Sequence, residues 1–385
     1  MRVAYIGQKG LPATYGGVER HVEELAARVA AAGHDVCVYN RAHYNAEAPA
    51  RYRGVEVVTL PSLATKHLDA ISHVAVCSAH ALANGADLVH YHAIGPALLS
   101  WVPRLRGAVS VVTVHGRDWQ RPKWGAVATL ALRGGEWVAM HAPAETIVVS
   151  RALADELAAR YGRAVRYIPN GIVLEDGDDP EFLAGLGIAP QRYVLFASRL
   201  VPEKGAHYLI EAWRQLRTDL TLVMAGDSSF SSDYVESLRA GCTDLRVLFP
   251  GYVYGRSLAT LFRNAALFVL PSDVEGLPIV LLEALGYGTP VLASDIAPNR
   301  EVVGDLGDTF AASDVGDLER KLEAALGELP RLRHQARAAA TTVLRIYDWD
   351  VIAAQTIEVY EAEVVRHEHR RARSSIVRSG HGRRE

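Results

Sequence analysis

The sequence predicts an α/β protein built from two domains, each on a doubly wound parallel sheet. Three observations predict it. Short apolar runs alternate with amphipathic stretches along most of the 385 residues, the pattern of a sheet whose strands are joined by helical crossovers. The alternation pauses once, at residues 170–190, and then restarts. The length exceeds what one core ordinarily fills and suits about two domains.

In the first half, strands are expected at residues 3–7, 35–40, 55–60, 88–91, 110–114, 146–149 and 165–168. The clearest helix spans 18–32. Val22, Leu25, Ala26 and Val29 fall on one face, and Glu23, Glu24 and Arg28 on the other. Gly33 supplies its stop.

The pause holds Glu175, Asp176, Gly177, Asp178, Asp179 and Pro180 and reads as a linker over 173–190. Strands then resume at 193–197, 220–225, 246–249, 267–270 and 290–293, with helices at about 206–217, 257–264 and 278–285. The last stretch, about 318–366, is helical with breaks at Leu329-Pro330 and Tyr347-Asp348-Trp349. The expected division is an N-terminal domain 1–172, the linker, a C-terminal domain 191–349 and a tail 367–385. The tail region carries Arg370, Arg371, Arg373, Arg378, Arg383 and Arg384 and little to bury. It is expected to be disordered and suited to an anionic membrane surface.

A formal net charge of -3 gives no basic field for nucleic acid. Hydrophobic residues make up 49% and charged residues 22%, as in globular proteins. The apolar start at Val3 is too short for a signal peptide, and no apolar run is long enough to span a membrane. Cys37, Cys77 and Cys242 are scattered and odd in number, so neither a disulfide framework nor a metal knuckle is indicated. A cytoplasmic location follows as the expectation.

Four constellations carry candidate chemistry. Glu275 lies in the loop between the strand 267–270 and the next helix, and Glu283 lies on that helix. Ligands of open parallel sheets bind at the carboxyl ends of strands. Two carboxylates there can accept hydrogen bonds from sugar hydroxyls, and first-turn amides can meet phosphate. Arg199 and Lys204 follow the strand 193–197 and suit a diphosphate, one as a planar fork and one as a point charge. Gly16 and Gly17 close a glycine-containing loop after the first strand, where backbone can come close to a ligand. His115 ends the strand 110–114 and can donate to a sugar hydroxyl. His90 and His92 share one strand face, but no third ligand is evident, so no metal site is expected. Asp176-x-Asp178 and Asp348-x-Asp350 are too short as patterns to argue for a cation.

Together these pieces resemble the retaining glycosyltransferase family 4 pattern. The Glu-x7-Glu signature stands at Glu275 and Glu283, the Arg…Lys-Gly loop at Arg199, Lys204 and Gly205, and the Gly-Gly loop at Gly16-Gly17. Ile168-Pro169-Asn170-Gly171, Gly251-Tyr252-Val253 and Ala293-Ser294-Asp295 complete the order. The opening from Gly7 to Glu19, with Leu11-Pro12-Ala13-Thr14-Tyr15-Gly16-Gly17, is similar to a bacterial subgroup of rhamnosyl-, galactosyl- and glucosyltransferases of cell-surface polysaccharides.

The resemblance implies the GT-B fold: two Rossmann-like doubly wound parallel-sheet domains facing a cleft. A final helix at about 350–366 crosses back to the first, acceptor-side domain, with Trp349 and Tyr360 as packing anchors. It implies a nucleotide-diphosphate sugar as donor substrate, no cofactor, no metal, and a glycan or polyprenyl-linked acceptor. Arg199 and Lys204 would neutralise the diphosphate and Glu283 would hold the ribose. Glu275, with the backbone of Gly276, Leu277, Pro278 and Ile279, would hold the sugar. Backbone near Val253 would meet the base, His115 the sugar near the reacting carbon, and Gly16 and Gly17 the phosphate and acceptor. Acceptor loops are expected at 8–15 and 44–52, and peripheral contact with the inner membrane face is a further implication. A sugar-nucleotide epimerase or a non-catalytic sugar-nucleotide-binding subunit are the competing readings.

Overall fold

The run Val109–Val114 is buried at every position, which a parallel strand covered on both faces requires. The computed structural model describes residues 1–14, 16–45, 47–63, 65, 68–120, 124–227 and 232–381. It divides into two units, Met1–Asn170 with Trp349–Glu385, and Gly171–Asp348.

In the first unit the strands are β1 (Arg2–Ile6), β2 (Asp35–Arg41), β3 (Arg51–Tyr52), β4 (Val55–Leu60), β5 (Leu88–His92), β6 (Val109–Val114), β7 (Glu145–Val148) and β8 (Arg166–Tyr167). Among the described residues they form one sheet in the order β3-β4-β2-β1-β5-β6-β7-β8. Only the β3/β4 pairing is antiparallel. The chain runs outward from β1 through β2 to β4, then returns to lay β5 on the other side of β1. The point of reversal therefore lies between β1 and β5, with Tyr5 paired to His90.

Alternation along β1 sends Val3 and Tyr5 into one core and Ala4 and Ile6 into the other. The helix Gly17–Ala31 covers the first face with Val22, Leu25, Ala26 and Val29. The helix Trp349–His381 lies on the same face, burying Trp349, Ile352 and Tyr360. The Tyr360 hydroxyl stands 2.9 Å from that of Tyr5 and 2.6 Å from His90 Nδ1.

In the second unit the strands are β9 (Tyr193–Ala197), β10 (Thr221–Ala225), β11 (Val247–Gly251), β12 (Leu267–Leu270), β13 (Val291–Ser294) and β14 (Asp308–Phe310). Their order is β11-β10-β9-β12-β13-β14, with the reversal between β9 and β12. The fully buried Trp213 anchors the core beneath the helix Ala206–Gln215.

Two expectations change. The stretch 173–190 is not a free linker. Asp179 caps the helix Pro180–Gly185, accepting from Phe182 N at 3.1 Å and from Ser257 Oγ at 2.6 Å, and Leu183 is buried. Asp178 is an ion-pair partner of Arg263, which donates to its Oδ1 at 2.6 Å and to the backbone carbonyl of Glu175 at 2.8 Å. The stretch expected to be a disordered tail is helical to His381, since extending a helix already anchored by packing avoids a new nucleation step. Residues 382–385, with Arg383 and Arg384, lie outside the described residues, as do Tyr15 and Ala46 of the two expected acceptor loops. The short strands β3 and β14 are too brief to show a period in sequence. Cys242 is half-buried, whereas Cys37 and Cys77 are buried.

Candidate active site

The carboxyl ends of β9 and β12 meet at the second sheet's reversal point. After β9, the chain passes Arg199, makes a short turn at Pro202–Lys204, and enters the helix Ala206–Gln215 through Gly205. Gly205 has φ +69°, and a Cβ there would lie 1.9 Å from Pro271 O. Only glycine lets this turn approach the loop after β12 so closely. The loops are joined again where Asp273 N donates to Glu203 O at 3.0 Å. On the other side, Gly226 has φ +145° and brings the end of β10 against Ser198 O.

This approach sets Lys204 Nζ 2.5 Å from Glu275 Oε1, with side chains only 14% and 8% exposed. The half-buried Arg199 has no side-chain partner among the described residues. The loop bearing Glu275 is held from below: Ser294 Oγ donates to Ser272 O at 2.5 Å, and Asn299 Nδ2 donates to Ser294 Oγ at 2.9 Å. The loop then leads through Gly276, Leu277 and Pro278 into the helix Ile279–Gly286. Pro278 carries no N–H, so the amides this stretch can offer a ligand are those of Gly276, Leu277 and Ile279. Glu283 sits in the second turn of that helix and is buried, not on a solvated face. Val253 follows the end of β11, flanked by the exposed, stacked rings of Tyr252 and Tyr254, 5.7 Å apart. The two cations and Glu275 thus occupy adjoining loops, Glu283 the next helix, and Val253 the loop after the edge strand.

In the first unit, Gly16 opens the helix Gly17–Ala31 with φ +106°, where a Cβ would strike the Glu19 carboxylate at 2.1 Å. Glu19 in turn accepts from Lys9 N at 3.1 Å, tying the loop after β1 to the helix. Gly17 is exposed at the first turn.

His115 follows β6, and its Nε2 lies 3.1 Å from His92 Nδ1. The pair on β5 gains no third ligand, because both ring nitrogens of His90 are taken, Nδ1 by the Tyr360 hydroxyl at 2.6 Å and Nε2 by that of Thr113 at 2.7 Å. The histidines that gather do so around His92 alone. His21 comes from the helix after β1, and one ring nitrogen from each of His21, His92 and His115 lies within 4.8 Å of the others. Burial pushes His21 down to about 4 and holds His90, His92 and His115 well below the usual histidine range. All four rings are therefore neutral at pH 7. Sequence reading missed His21 because it stands 71 and 94 residues from its partners, on a helix face that reads as core.

Residues 15–176 match the family model described as Glycosyltransferase Family 4, and residues 178–343 match that of Glycosyl transferases group 1. The chain belongs to the family 4 glycosyltransferases. This glycosyltransferase is 27% identical to a glycogen synthase of Mycobacterium tuberculosis, over 94% of its own length and 95% of the relative's. It is 29% identical to a phosphatidyl-myo-inositol mannosyltransferase of Mycobacterium leprae, over 90% and 93%. Its fold is that of sucrose-phosphate synthase from Thermosynechococcus elongatus, with a TM-score of 0.79 at 22% identity over 94% and 98% of the chains. Anabaena HepE in complex with UDP-glucose gives 0.76 at 21% identity over 94% and 100%. At these identities the likeness to the solved structures is one of fold, and that fold is GT-B. Among the described residues, no helix of the glycosyltransferase is long and apolar enough to cross a membrane.

Proposed function

We propose that this glycosyltransferase moves a hexosyl or deoxyhexosyl group from a nucleotide-diphosphate sugar to a glycan or polyprenyl-linked acceptor, with retention and without a metal. The observation that carries this reading is the Lys204–Glu275 contact at the reversal point of the second sheet. It places a cation and a carboxylate together where open α/β sheets bind ligands. A sugar diphosphate needs both: positive charge for the departing diphosphate and an acceptor for sugar hydroxyls.

Arg199 and Lys204 stabilise the charge that grows on the diphosphate as the anomeric C–O bond breaks. The acceptor oxygen bonds to the same face of that carbon, and its proton passes to the leaving phosphate. Glu275 and the amides of Gly276, Leu277 and Ile279 orient the sugar, Glu283 takes the ribose hydroxyls, and backbone at Val253 meets the base. His115, neutral, donates to the sugar near the reacting carbon, and Gly16 and Gly17 let phosphate and acceptor approach the backbone. The complex of Anabaena HepE with UDP-glucose supports a nucleotide-sugar donor. The opening residues Gly7–Glu19 support a sugar of the rhamnosyl, galactosyl or glucosyl type and a cell-surface polysaccharide product. The arginines after Arg366 support work at the inner membrane face from the cytoplasm.

The reading is tested by incubating the protein with nucleotide sugars and lipid-linked glycan acceptors. Nucleoside diphosphate should appear only with acceptor, and NMR of the new linkage should show the donor's anomeric configuration. Inversion would reject retention. Turnover of the nucleotide sugar with no acceptor would favour an epimerase.

A further inference from the structure

We propose that His21, His92 and His115 form a binding site for one divalent transition-metal ion of the zinc class, at the β1/β5 reversal point of the first unit. The three ligands come from separate elements: the helix after β1, the end of β5 and the loop after β6. One ring nitrogen from each lies within 4.8 Å of the other two. The 3.1 Å between His92 Nδ1 and His115 Nε2 is close to the separation of about 3.3 Å that two nitrogens take on a tetrahedral ion at a Zn–N distance of roughly 2.0–2.1 Å. Bringing His21 onto the same point means shortening a separation of no more than 4.8 Å.

The surroundings fit ligation. His21 Nδ1 meets Asn170 Oδ1 at 2.8 Å. The amide oxygen can only accept, so Nδ1 carries the proton and Nε2 presents the lone pair. That outer hydrogen bond is what metal-bound histidines ordinarily have. His21 Nε2 is buried without a protein partner, and such an atom calls for a water or an ion. The rings are held before any ion arrives. His92 stacks on Tyr5 at 5.6 Å, and His21 meets the Trp349 ring edge-on at 5.3 Å.

Three neutral imidazoles with no carboxylate select zinc, copper, nickel or cobalt over magnesium or calcium, which need oxygen ligands. A fourth position stays open for water. An ion there engages the His115 ring and so slows the transfer proposed above. That consequence rests on the proposed reaction, whereas binding itself does not.

The test is metal content. Chelator-stripped protein is dialysed against Zn²⁺ or Mg²⁺, desalted and analysed by atomic emission. Wild type should keep one equivalent of zinc and no magnesium, while His21→Gln and His92→Gln should each keep less than about a tenth of an equivalent. Zinc absent from wild type, or a full equivalent retained by both variants, would overturn the proposal. Because a buried variant can misfold, wild type is also loaded with Co²⁺. The intense visible bands of a four-coordinate ion are expected, and the weak spectrum of six-coordinate cobalt would contradict the site.

Discussion

Lys204 Nζ and Glu275 Oε1 lie 2.5 Å apart although 71 residues separate them in the chain. In the proposed reaction each serves a different part of the donor, so neither can be replaced by the other. Lys204→Ala and Glu275→Gln should each lower kcat/KM by at least about 100-fold, roughly 2.7 kcal/mol of transition-state stabilisation. Steady-state kinetics checks this, and a near-wild-type rate in either variant removes that residue from the site.

Gly205 is required for the contact, and its cost can be separated from ordinary backbone strain. Gly187 has nearly the same φ, +67° against +69°, but open space around its missing Cβ, whereas Gly205 faces Pro271 O at 1.9 Å. Gly187→Ala should cost about 1–2 kcal/mol from the left-handed backbone alone. Gly205→Ala adds an overpacking cost of about 1–3 kcal/mol and should also weaken donor binding. Urea unfolding and donor titration of both variants measure the difference. Equal destabilisation would mean that the two loops need not approach so closely.

Tyr360→Phe removes the hydroxyl that stands between Tyr5 and His90. His90 Nδ1 is then buried without that partner, which should cost about 1–3 kcal/mol. Denaturant unfolding reads this directly, and an unchanged midpoint would show that the Trp349–His381 helix does not depend on this link.

With Arg199 and Lys204 stabilising the leaving diphosphate, transfer should survive EDTA. Removing an ion from His21, His92 and His115 should raise the rate. Loss of activity on chelation, restored by magnesium or manganese, would put a cation on the diphosphate instead.

The strands most legible in sequence were those buried on both faces. The runs at Tyr193–Ala197 and Leu267–Leu270 are continuous in apolar residues, and the structure has the same limits. The charged pair was legible because each residue follows such a run, so the sheet places it at a carboxyl end. What sequence could not show was which ends adjoin. That depends on strand order, and β9 neighbours β12 only because the chain reverses direction in the sheet. The same fact hid His21, since β1 neighbours β5 by the same reversal in the first sheet. Asp179 was misread because a capping carboxylate and a linker carboxylate look alike until Ser257 and Phe182 N are seen to meet it.

The most direct test of the donor site is thermal shift with UDP-, GDP-, dTDP- and ADP-sugars on wild type, Arg199→Ala and Lys204→Ala. A ligand at 100 times its Kd stabilises the folded state by about 2.7 kcal/mol. At least one donor should raise the wild-type Tm clearly, and the same donor should leave both variants almost unmoved. A panel that shifts nothing, or that shifts wild type and both variants alike, would contradict a nucleotide sugar held at the β9/β12 reversal point.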